Sequence, residues 1–479
     1  MKRQDATQKL LLEPSILTIF GISGDLAQRK LLPALYHLAH NGLLPPTFKI
    51  VGVTRRRSLS PADIIQSLRA SLEASGTHYS SEILQQLENI MHIVSMDITD
   101  KNEYARLKSE LDTIENDLST CLHRLFYLAI PATVYEPVVR RLGEHDLNHG
   151  CQHGSTDSRL LIEKPFGYDL TSAKQLVETL AQSFHESQIY RIDHYLAKET
   201  VQNILAFRAG NPLFHAVWNN KHISRIIITA SESIGIEGRA VFYEPIGALR
   251  DIIQSHLLQI AALVAMNIPD TITAATVHDG RRKLLESIKP PHSDEMASKT
   301  VRGQYDSYAK EVGNPDSMTE TFAALELEIA HKNWQGVPLF IQTGKKLTAK
   351  TTEVTVVFQE PDGGDYANYL TIRLQPNEGI TIDLRIKRPG FEAEMEHVQM
   401  EFNYGGKINA EHPDAYERVL VDCLRGDQTL FATSQETLAS WRVVQPILDA
   451  WQHNASVLHS YKSGSEGPKA ADELLSLKT

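Results

Sequence analysis

The sequence has 479 residues, of which 42% are hydrophobic and 22% are charged, and its formal net charge is -11. This length exceeds what one hydrophobic core usually organises, so we expect two domains. The acidic balance excludes a general affinity for nucleic acid or for an anionic membrane surface, so any phosphate must be bound by a few placed cations and backbone amides.

The chain contains three cysteines, Cys121, Cys151 and Cys423. Their odd number, wide spacing and lack of a Cys-x-x-Cys pair predict a reducing compartment, no disulfide framework and no metal site. The segment Met1–Pro14 is too polar for a signal peptide, and the apolar stretch 257–266 is too short to span a membrane. We therefore expect a cytoplasmic protein with no membrane partner.

The first part of the chain alternates between short β-rich runs and helical patterns. Strands are predicted at Ser15–Phe20, Phe48–Thr54, His92–Asp97, Arg124–Ile130, Arg159–Glu163 and Gln188–Ile192, with helices near 25–40, 61–74, 102–115, 132–142 and 170–184. Ser60 followed by Pro61 is typical of a helix start, because serine caps the first turn and proline fits it. This alternation predicts a Rossmann-like, doubly wound parallel sheet over residues 1–187.

Residues 188–479 follow a different pattern and are predicted to form a second, α+β domain. Helices are expected at 195–209, 248–266, 411–425 and 434–453, and strands at Ile223–Ser231, Phe322–Ala330, Glu353–Phe358, Tyr369–Gln375 and Ile380–Lys387. Alternation of apolar and polar residues in the later runs predicts a large, mainly antiparallel sheet. The polar tail from Ser463 is expected to be poorly ordered.

A glycine turn follows the first predicted strand and opens a helix. It comprises Gly21, Ile22, Ser23, Gly24, Asp25, Leu26 and Ala27. Such a turn lets the backbone approach a pyrophosphate, and a helix start supplies free N–H groups, although an ordinary strand-to-helix turn has the same pattern. The second strand ends in Arg55–Arg57 with no carboxylate, which favours NADP because a 2′-phosphate needs a cation.

Two further motifs follow predicted strands of the first domain. Lys164 stands between Glu163 and Pro165 at a strand end, where ligands bind in such sheets; the alternative is a Glu–Lys turn on the surface. In the run 190–199, a helix capped by Asp193 would place His194 and Lys198 on one face, where a phosphate dianion would satisfy both. The alternative there is a salt-bridged helix start.

His256 lies within the apolar stripe of the helix predicted from Ala248 to Met266. Histidines in such stripes are more often satisfied core residues than catalysts. Oxidation of an alcohol by a nicotinamide nevertheless needs a base, and histidine is the usual base at neutral pH. A buried histidine also needs an orienting carboxylate, and Asp193 is a candidate whose meeting with His256 the sequence does not establish.

Together these motifs resemble the glucose-6-phosphate dehydrogenase family. The resemblance covers residues 15–455 and rests on Gly21–Ala27, Glu163–Gly167, Arg191–Glu199, Gln254–Gln259, Thr300–Tyr305, Thr319–Phe322, Thr343–Leu347 and Asp414–Arg418. It implies a dehydrogenase of the pentose phosphate pathway that oxidises C1 of glucose 6-phosphate with NADP. The family forms dimers and tetramers through its large sheet, so a homodimer or homotetramer is expected.

The resemblance also implies a role for each matching residue. His256 is expected to be the general base and Asp193 the carboxylate that pairs with it. The residues expected to bind substrate are Lys164, His194, Tyr195, Lys198, Glu232, Asp251, Lys345 and Lys350. The residues expected to bind NADP are Gly21, Ile22, Ser23, Gly24, Asp25, Leu26, Ala27, Arg55, Asp97, Ile98 and Lys164.

Some positions depart from the family pattern. They are Ala197 for Gly, Ser255 for Asn, Glu244 for Asp, the segment 331–335, Thr433 for Arg and Glu466 for Trp. Ala197 adds a methyl group beside the expected phosphate site and puts substrate affinity in question. These departures leave two alternatives open: a relative that binds NADP(H) without turnover, and a dehydrogenase of another aldose 6-phosphate.

Overall fold

A computed structural model describes residues 12–151, 156–361, 366–404, 413–453 and 455–476, and the chain forms two compact units. The first unit comprises Met1–Gly167, Thr171–Lys198 and Pro413–Ser434, and the second comprises Tyr168–Leu170, Glu199–His412 and Gln435–Thr479. The chain therefore passes from one unit to the other at Lys198, eleven residues beyond the boundary expected from the sequence. The segment Pro413–Ser434, late in the chain, also belongs to the first unit.

The first unit contains a six-stranded sheet with the order β3-β2-β1-β4-β5-β6. Its strands are β1 Ser15–Phe20, β2 Phe48–Thr54, β3 Met91–Ser95, β4 His123–Leu128, β5 Ser158–Glu163 and β6 Ile189–Ile192. All neighbouring strands pair in parallel, so the predicted doubly wound sheet is confirmed. The strand order reverses between β1 and β4, which is where ligands bind in sheets of this kind.

Hydrophobic packing on both faces of this sheet explains why most residues of its strands are apolar. Leu17 and Ile19 of β1 belong to one buried cluster, whereas Ile16 and Phe20 belong to another, because successive side chains of a strand point to opposite faces. The helices of this unit are Leu32–His40, preceded by a π-helical segment at Ala27–Leu31, then Pro61–Ala74, Ser81–Asn89, Glu103–Leu118, Tyr135–Glu144, Leu170–Ala181 and Ala415–Arg425. Ser60 caps its helix as predicted.

The second unit contains a ten-stranded sheet with the order β15-β14-β13-β12-β7-β11-β10-β9-β16, and β8 pairs with β10. Its strands are β7 Ile223–Ser231, β8 Ile288–Lys289, β9 Thr300–Tyr305, β10 Phe322–Ile329, β11 Pro338–Gly344, β12 Thr351–Phe358, β13 Tyr369–Gln375, β14 Gly379–Lys387, β15 Met395–Asn403 and β16 Leu458–Tyr461. Only β7 with β11 and β9 with β16 pair in parallel among the strands described. The predicted mainly antiparallel sheet is confirmed.

One helix of the second unit is buried along most of its length. It begins as a π-helical segment at Leu249–Leu257, continues as Leu258–Ala265, and packs against β7 and β11. The other helices of this unit are Glu199–Gly210, Pro212–His215, Ala240–Tyr243, Ala274–Ser287, Met296–Lys299, Tyr308–Val312, Ser434–Gln452 and Lys469–Ser476. None of the helices in the described part of the chain is both long and apolar enough to cross a membrane.

One expectation from the sequence is wrong, and one helix was not expected. The tail after Ser463 forms the helix Lys469–Ser476, because Ala471 and Leu474 are buried in a hydrophobic cluster of the second unit. The helix Ser81–Asn89 was not predicted from its pattern. Its short amphipathic stretch buries only Leu84 and Leu87, which is too weak a period to recognise.

The predicted absence of a disulfide is also wrong. Cys121 and Cys151 are bonded, with an S–S distance of 1.99 Å and Cα atoms 5.5 Å apart, while Cys423 is free and buried. Spacing along the chain did not reveal this pair, because the fold brings together two residues that are 30 positions apart. The inference of a reducing compartment loses this support, and a cytoplasmic location stays a prediction.

Candidate active site

The glycine turn of the first unit requires a residue without a side chain. Gly21 has a φ of +84°, and a Cβ placed there would lie 2.5 Å from the carbonyl oxygen of Ala129. The turn closes with a 2.8 Å hydrogen bond from Gly24 N–H to Gly21 C=O. Gln28 N–H donates a 3.0 Å hydrogen bond to Gly24 C=O, so the helix begins directly after the turn, and Gly24 has no side chain with which to cap it. An anion such as a pyrophosphate suits this uncapped helix start.

Charged residues of opposite sign follow the neighbouring strands β2 and β3. Arg55, Arg56 and Arg57 are exposed directly after β2. Asp97 follows β3, and the backbone and side chain of Thr99 donate hydrogen bonds to it, which together with the charge of Arg55 lower the pKa of Asp97. The structure therefore brings Arg55 and Asp97 to the same edge of the sheet, where the adenosine end of a dinucleotide binds in such folds.

Glu163, at the end of β5, is hydrogen-bonded to tyrosines directly before Lys164. Tyr127 Oη donates to Glu163 Oε1 at 2.6 Å, and the hydroxyl of Tyr416 also donates to this carboxyl group. Burial raises the pKa of Glu163 to about 7, against the lowering effects of both tyrosines and of Lys164, while Asp193 adds a raising effect. A carboxyl group that titrates near neutrality thus lies next to the predicted cofactor and substrate lysine.

The segment 193–198 is a series of turns, and the helix begins at Glu199, so Asp193 does not cap a helix as predicted. The buried Asp193 accepts a 2.8 Å hydrogen bond from Tyr195 N–H, which fixes the first turn. The Lys198 ammonium lies 4.4 Å from the centre of the Tyr195 ring, and the rings of His194 and Tyr195 are 5.0 Å apart. Tight turns, and not a helix, therefore bring Asp193, His194, Tyr195 and Lys198 together.

Ala197 faces the interior of the first unit. It is 4% exposed and belongs to the same buried cluster as Tyr190, Ile192 and Val419. The extra methyl group therefore packs in the core of the first unit, and its effect on substrate affinity stays a prediction.

In the second unit, Glu232 and Lys345 meet because of strand pairing. Glu232 follows β7 and Lys345 follows β11, and these strands run in parallel with Ser231 opposite Gly344. Lys345 Nζ forms an ion pair with Glu232 and lies 3.9 Å from an oxygen of Asp251 and 5.1 Å from the centre of the Tyr243 ring. A buried ammonium held between two carboxylates is well placed to bind the hydroxyl groups of a sugar.

Asp251 and His256 lie on the π-helical segment Leu249–Leu257. Residues five positions apart would be about 140° apart around an α-helix, whereas the wider i→i+5 pattern turns them toward the same side. His256 is 1% exposed, and Ser255 Oγ donates to Asp251 C=O at 2.6 Å. π-Helical turns often occur at functional sites, so this segment is a good place for paired polar residues.

The structure thus groups the predicted residues within each unit. The first unit holds Gly21–Ala27, Arg55, Asp97, Ile98, Lys164 and the segment 193–198, and the second holds Glu232, Asp251, His256, Lys345 and Lys350. Lys350 is exposed and precedes Thr351, which pairs with Ser231. The pairing of Asp193 with His256 would join residues of different units and stays a prediction.

Sequence reasoning assigned no role to Tyr127, Tyr243, Glu320 or Tyr416. Two of them stand within motifs that were noted for other reasons: Glu320 in Thr319–Phe322 and Tyr416 in Asp414–Arg418. The sequence contains no residue pattern that distinguishes these four side chains, because the groups that they contact are distant along the chain.

Comparison with known families covers nearly the whole chain. The profile of the glucose-6-phosphate dehydrogenase NAD binding domain matches residues 18–203, and the profile of that family's C-terminal domain matches residues 205–479. The glucose-6-phosphate 1-dehydrogenase of Treponema pallidum (strain Nichols) is 40% identical over 490 aligned residues, covering 96% of this chain and 93% of that protein. The Bacillus subtilis (strain 168) protein of the same name is 37% identical, covering 96% of each chain.

Solved structures agree with this match. A glucose-6-phosphate dehydrogenase in complex with its substrate glucose 6-phosphate superimposes with a TM-score of 0.90 at 32% identity, covering 98% of each chain. Glucose-6-phosphate 1-dehydrogenase from Mycobacterium avium superimposes with a TM-score of 0.84 at 32% identity, covering 97% of this chain and 98% of that one.

The raised pKa of Glu163 predicts a change of stability with pH. Its pKa is about 7 in the folded chain against an ordinary value of 4.5, so the folded state binds the proton more tightly. The contribution of Glu163 to the free energy of unfolding is therefore full below pH 4.5 and falls as the pH rises through 7. Glu163→Gln should remove this fall, which we expect to be about 1–2 kcal/mol because water reaches part of the side chain.

The free energy of unfolding of the parent and of Glu163→Gln is measured in urea at pH 5.5 and at pH 8.5. Subtracting the change with pH in the variant from the change in the parent cancels the titration of other groups. The variant should gain stability relative to the parent at the higher pH. An unchanged difference between the two pH values would contradict a titration of Glu163 near neutrality.

Proposed function

The chain belongs to the glucose-6-phosphate dehydrogenase family, and from this membership we propose that it oxidises C1 of D-glucose 6-phosphate with NADP. The product is 6-phospho-D-glucono-1,5-lactone, and the reaction is the first step of the pentose phosphate pathway. The observation that carries the proposal is the buried Lys345 between Glu232 and Asp251, next to β7 and β11, against which the helix of His256 packs.

The two parts of the chain divide this work. We assign NADP binding to residues 1–187, and substrate binding and oligomerisation to residues 188–479. The fit of NADP is supported by the glycine turn within Gly21–Ala27, which leads directly into a helix without a capping side chain, and by Arg55 near Asp97. We assign Ile98 and Lys164 as further contacts. When bound, the nicotinamide accepts the hydride that leaves C1.

The protein supplies orientation and proton removal. His256 takes the proton of the C1 hydroxyl as the hydride leaves that carbon, and Asp193 orients its ring and stabilises the resulting imidazolium. Glu232, Asp251 and Lys345 orient the sugar hydroxyls, with Lys350 at the same sheet edge. Lys164, His194, Tyr195 and Lys198 hold the substrate and its phosphate, because cations and aromatic hydroxyl groups bind a dianion well.

Mixing the protein with NADP and glucose 6-phosphate should produce NADPH, seen as absorbance at its nicotinamide band. A panel of aldose 6-phosphates, and NAD in place of NADP, should give lower kcat/KM values. Tight NADPH binding without turnover of any sugar phosphate would contradict the proposal and favour a non-catalytic relative. Preference for another aldose 6-phosphate would correct the substrate and leave the reaction type standing.

His256→Asn should lower kcat by about a hundredfold or more, since general base catalysis contributes factors of this size. The KM for glucose 6-phosphate should change little, because other side chains bind the sugar. His278→Asn is a matched control in the same unit: His278 contacts Glu436, which has no proposed role in the reaction, so this variant should leave kcat unchanged. Loss of turnover together with substrate binding in the His256 variant would instead indicate a structural histidine.

We also propose that β14 and β15 form the surface through which the chain self-associates. Ile386, Met395 and Met400 are 44%, 50% and 61% exposed on this edge of the large sheet, and the intervening Phe391 is fully exposed. Residues paired directly across β14 and β15 share a face of the sheet, so Ile386 and Met400 lie on one face with Glu396, whereas Met395 lies on the other face with Lys387. A twofold axis at this surface would bring the same apolar side chains of two copies together.

The molar mass in solution tests this surface. We expect the protein to be a dimer or tetramer by light scattering, and Met400→Glu to lower the mass because it buries a charge at the contact. Met318→Glu introduces the same change at a side chain that is 52% exposed elsewhere in the second unit, and it should leave the mass unchanged. An oligomer that survives Met400→Glu would place the contact on another surface.

A further inference from the structure

A buried carboxyl group holds the start of the helix that carries His256. Leu249 N–H donates a 3.0 Å hydrogen bond to Glu320 Oε1, and Ala248 N–H donates a 2.9 Å hydrogen bond to the carbonyl oxygen of Glu320. Ala248 has helical backbone angles, so its N–H group and that of Leu249 belong to the first turn, where the helix itself offers no acceptor. Glu320, 71 residues away, therefore takes the place of a local capping side chain.

Gly247 leaves the space that this carboxyl group occupies. A Cβ on Gly247 would lie 2.3 Å from Glu320 Oε1, and its φ of +73° is in the left-handed region. Glycine is therefore required at this position both by the backbone conformation and by the close approach of Glu320.

The same short segment also holds the lysine of the site. Thr321, the residue after Glu320, accepts a 2.9 Å hydrogen bond from Lys345 N–H through its carbonyl oxygen. Tyr461 Oη donates to the carbonyl oxygen of Lys345 at 2.7 Å and lies 2.9 Å from Thr321 Oγ1. Residues 320 and 321 thus connect the start of the helix to the backbone of Lys345.

The other end of the helix is held independently. Trp334 Nε1–H donates to Ala265 C=O at 2.7 Å, and Trp218 Nε1–H donates to Val264 C=O at 2.8 Å. The π-helical segment lies at the end that Glu320 holds. Because the far end is fixed, loss of the contact at Glu320 would let the first turns rewind and shift Asp251 and His256.

We propose that Glu320 is a positioning residue for the reaction: it fixes the first turn of the helix and thereby the placement of His256 and Asp251 relative to Lys345. The inference rests on the proposed function for the roles of these three residues. Glu320 itself acts through the backbone of Leu249 and contacts no reacting atom in this assignment. Burial raises the pKa of Glu320, and the charges of Arg250 and Arg302 act in the opposite direction.

Three substitutions of one side chain separate positioning from charge. Glu320→Gln keeps an acceptor oxygen in place and should retain kcat within about twofold. Glu320→Ala removes the acceptor, and Glu320→Asp withdraws it by one methylene group. Both should lower kcat by about tenfold or more, because small displacements of reacting groups have effects of this size. The KM for NADP should stay unchanged, since the proposed NADP residues lie in the first unit.

Thr273→Ala is the matched control for a lost helix cap. Thr273 Oγ1 accepts a hydrogen bond from Thr276 N–H at the start of the helix Ala274–Ser287, which carries no proposed site residue. This variant should lose thermal stability and keep its kcat. Gly247→Ala disturbs the same contact by placing a methyl group against the Glu320 carboxyl group. Gly313→Ala is its control, because Gly313 has a similar φ of +70° but open space around it.

Hydrogen exchange gives a readout that needs no activity. The peptide 246–257 should exchange faster in Glu320→Ala than in Glu320→Gln, because the Leu249 amide loses its acceptor. If Glu320→Ala does not fold, the comparison of Glu320→Asp with Glu320→Gln decides in its place.

Equal kcat values for Glu320→Ala and Thr273→Ala, or equal losses in Glu320→Gln and Glu320→Ala, would overturn the inference. If the Asp variant is used, a kcat equal to that of the Gln variant would overturn it. An inactive parent protein would instead overturn the proposed function, and the exchange measurement would still decide whether Glu320 holds the helix.

Discussion

The ammonium group of Lys345 is the constraint on which the second unit depends. Its side chain is only 4% exposed, and a charge removed from water is tolerated only when opposite charges and hydrogen bonds surround it. Glu232 supplies one partner because β7 and β11 run in parallel, and Asp251 supplies the other because its helix packs on the same strands. One parallel pair in a mainly antiparallel sheet therefore creates the polar center of this unit.

Local patterns in the sequence determined much of the fold. Strands β1, β2, β7 and β13 begin and end where their alternation or apolar runs predict, because burial on one or both faces imposes those patterns. The glycine turn could also be predicted from the sequence, since Gly21 needs a backbone conformation that other residues rarely adopt. The tail helix Lys469–Ser476 was missed because its burial comes from contacts with distant parts of the second unit.

Features that depend on distant partners were beyond sequence reasoning. The bond between Cys121 and Cys151, the tyrosines around Glu163 and the capping of Leu249 by Glu320 all require the folded chain. The segment 193–198 was predicted as a helix start because its polar residues suit one, yet hydrogen bonds such as that from Tyr195 N–H to Asp193 form turns instead. The resemblance predicts which residues form the site, and the structure shows how those within each unit are held.

The pairing of Glu232 with Lys345 also bears on how the chain is made. The two residues are 113 positions apart, so the site cannot form during synthesis until β11 has left the ribosome. Until then β7 has neither of its sheet neighbours, β11 and β12, and its backbone N–H and C=O groups are open to other chains. The nascent chain therefore exposes an unpaired strand to other chains from the synthesis of β7 until that of β12.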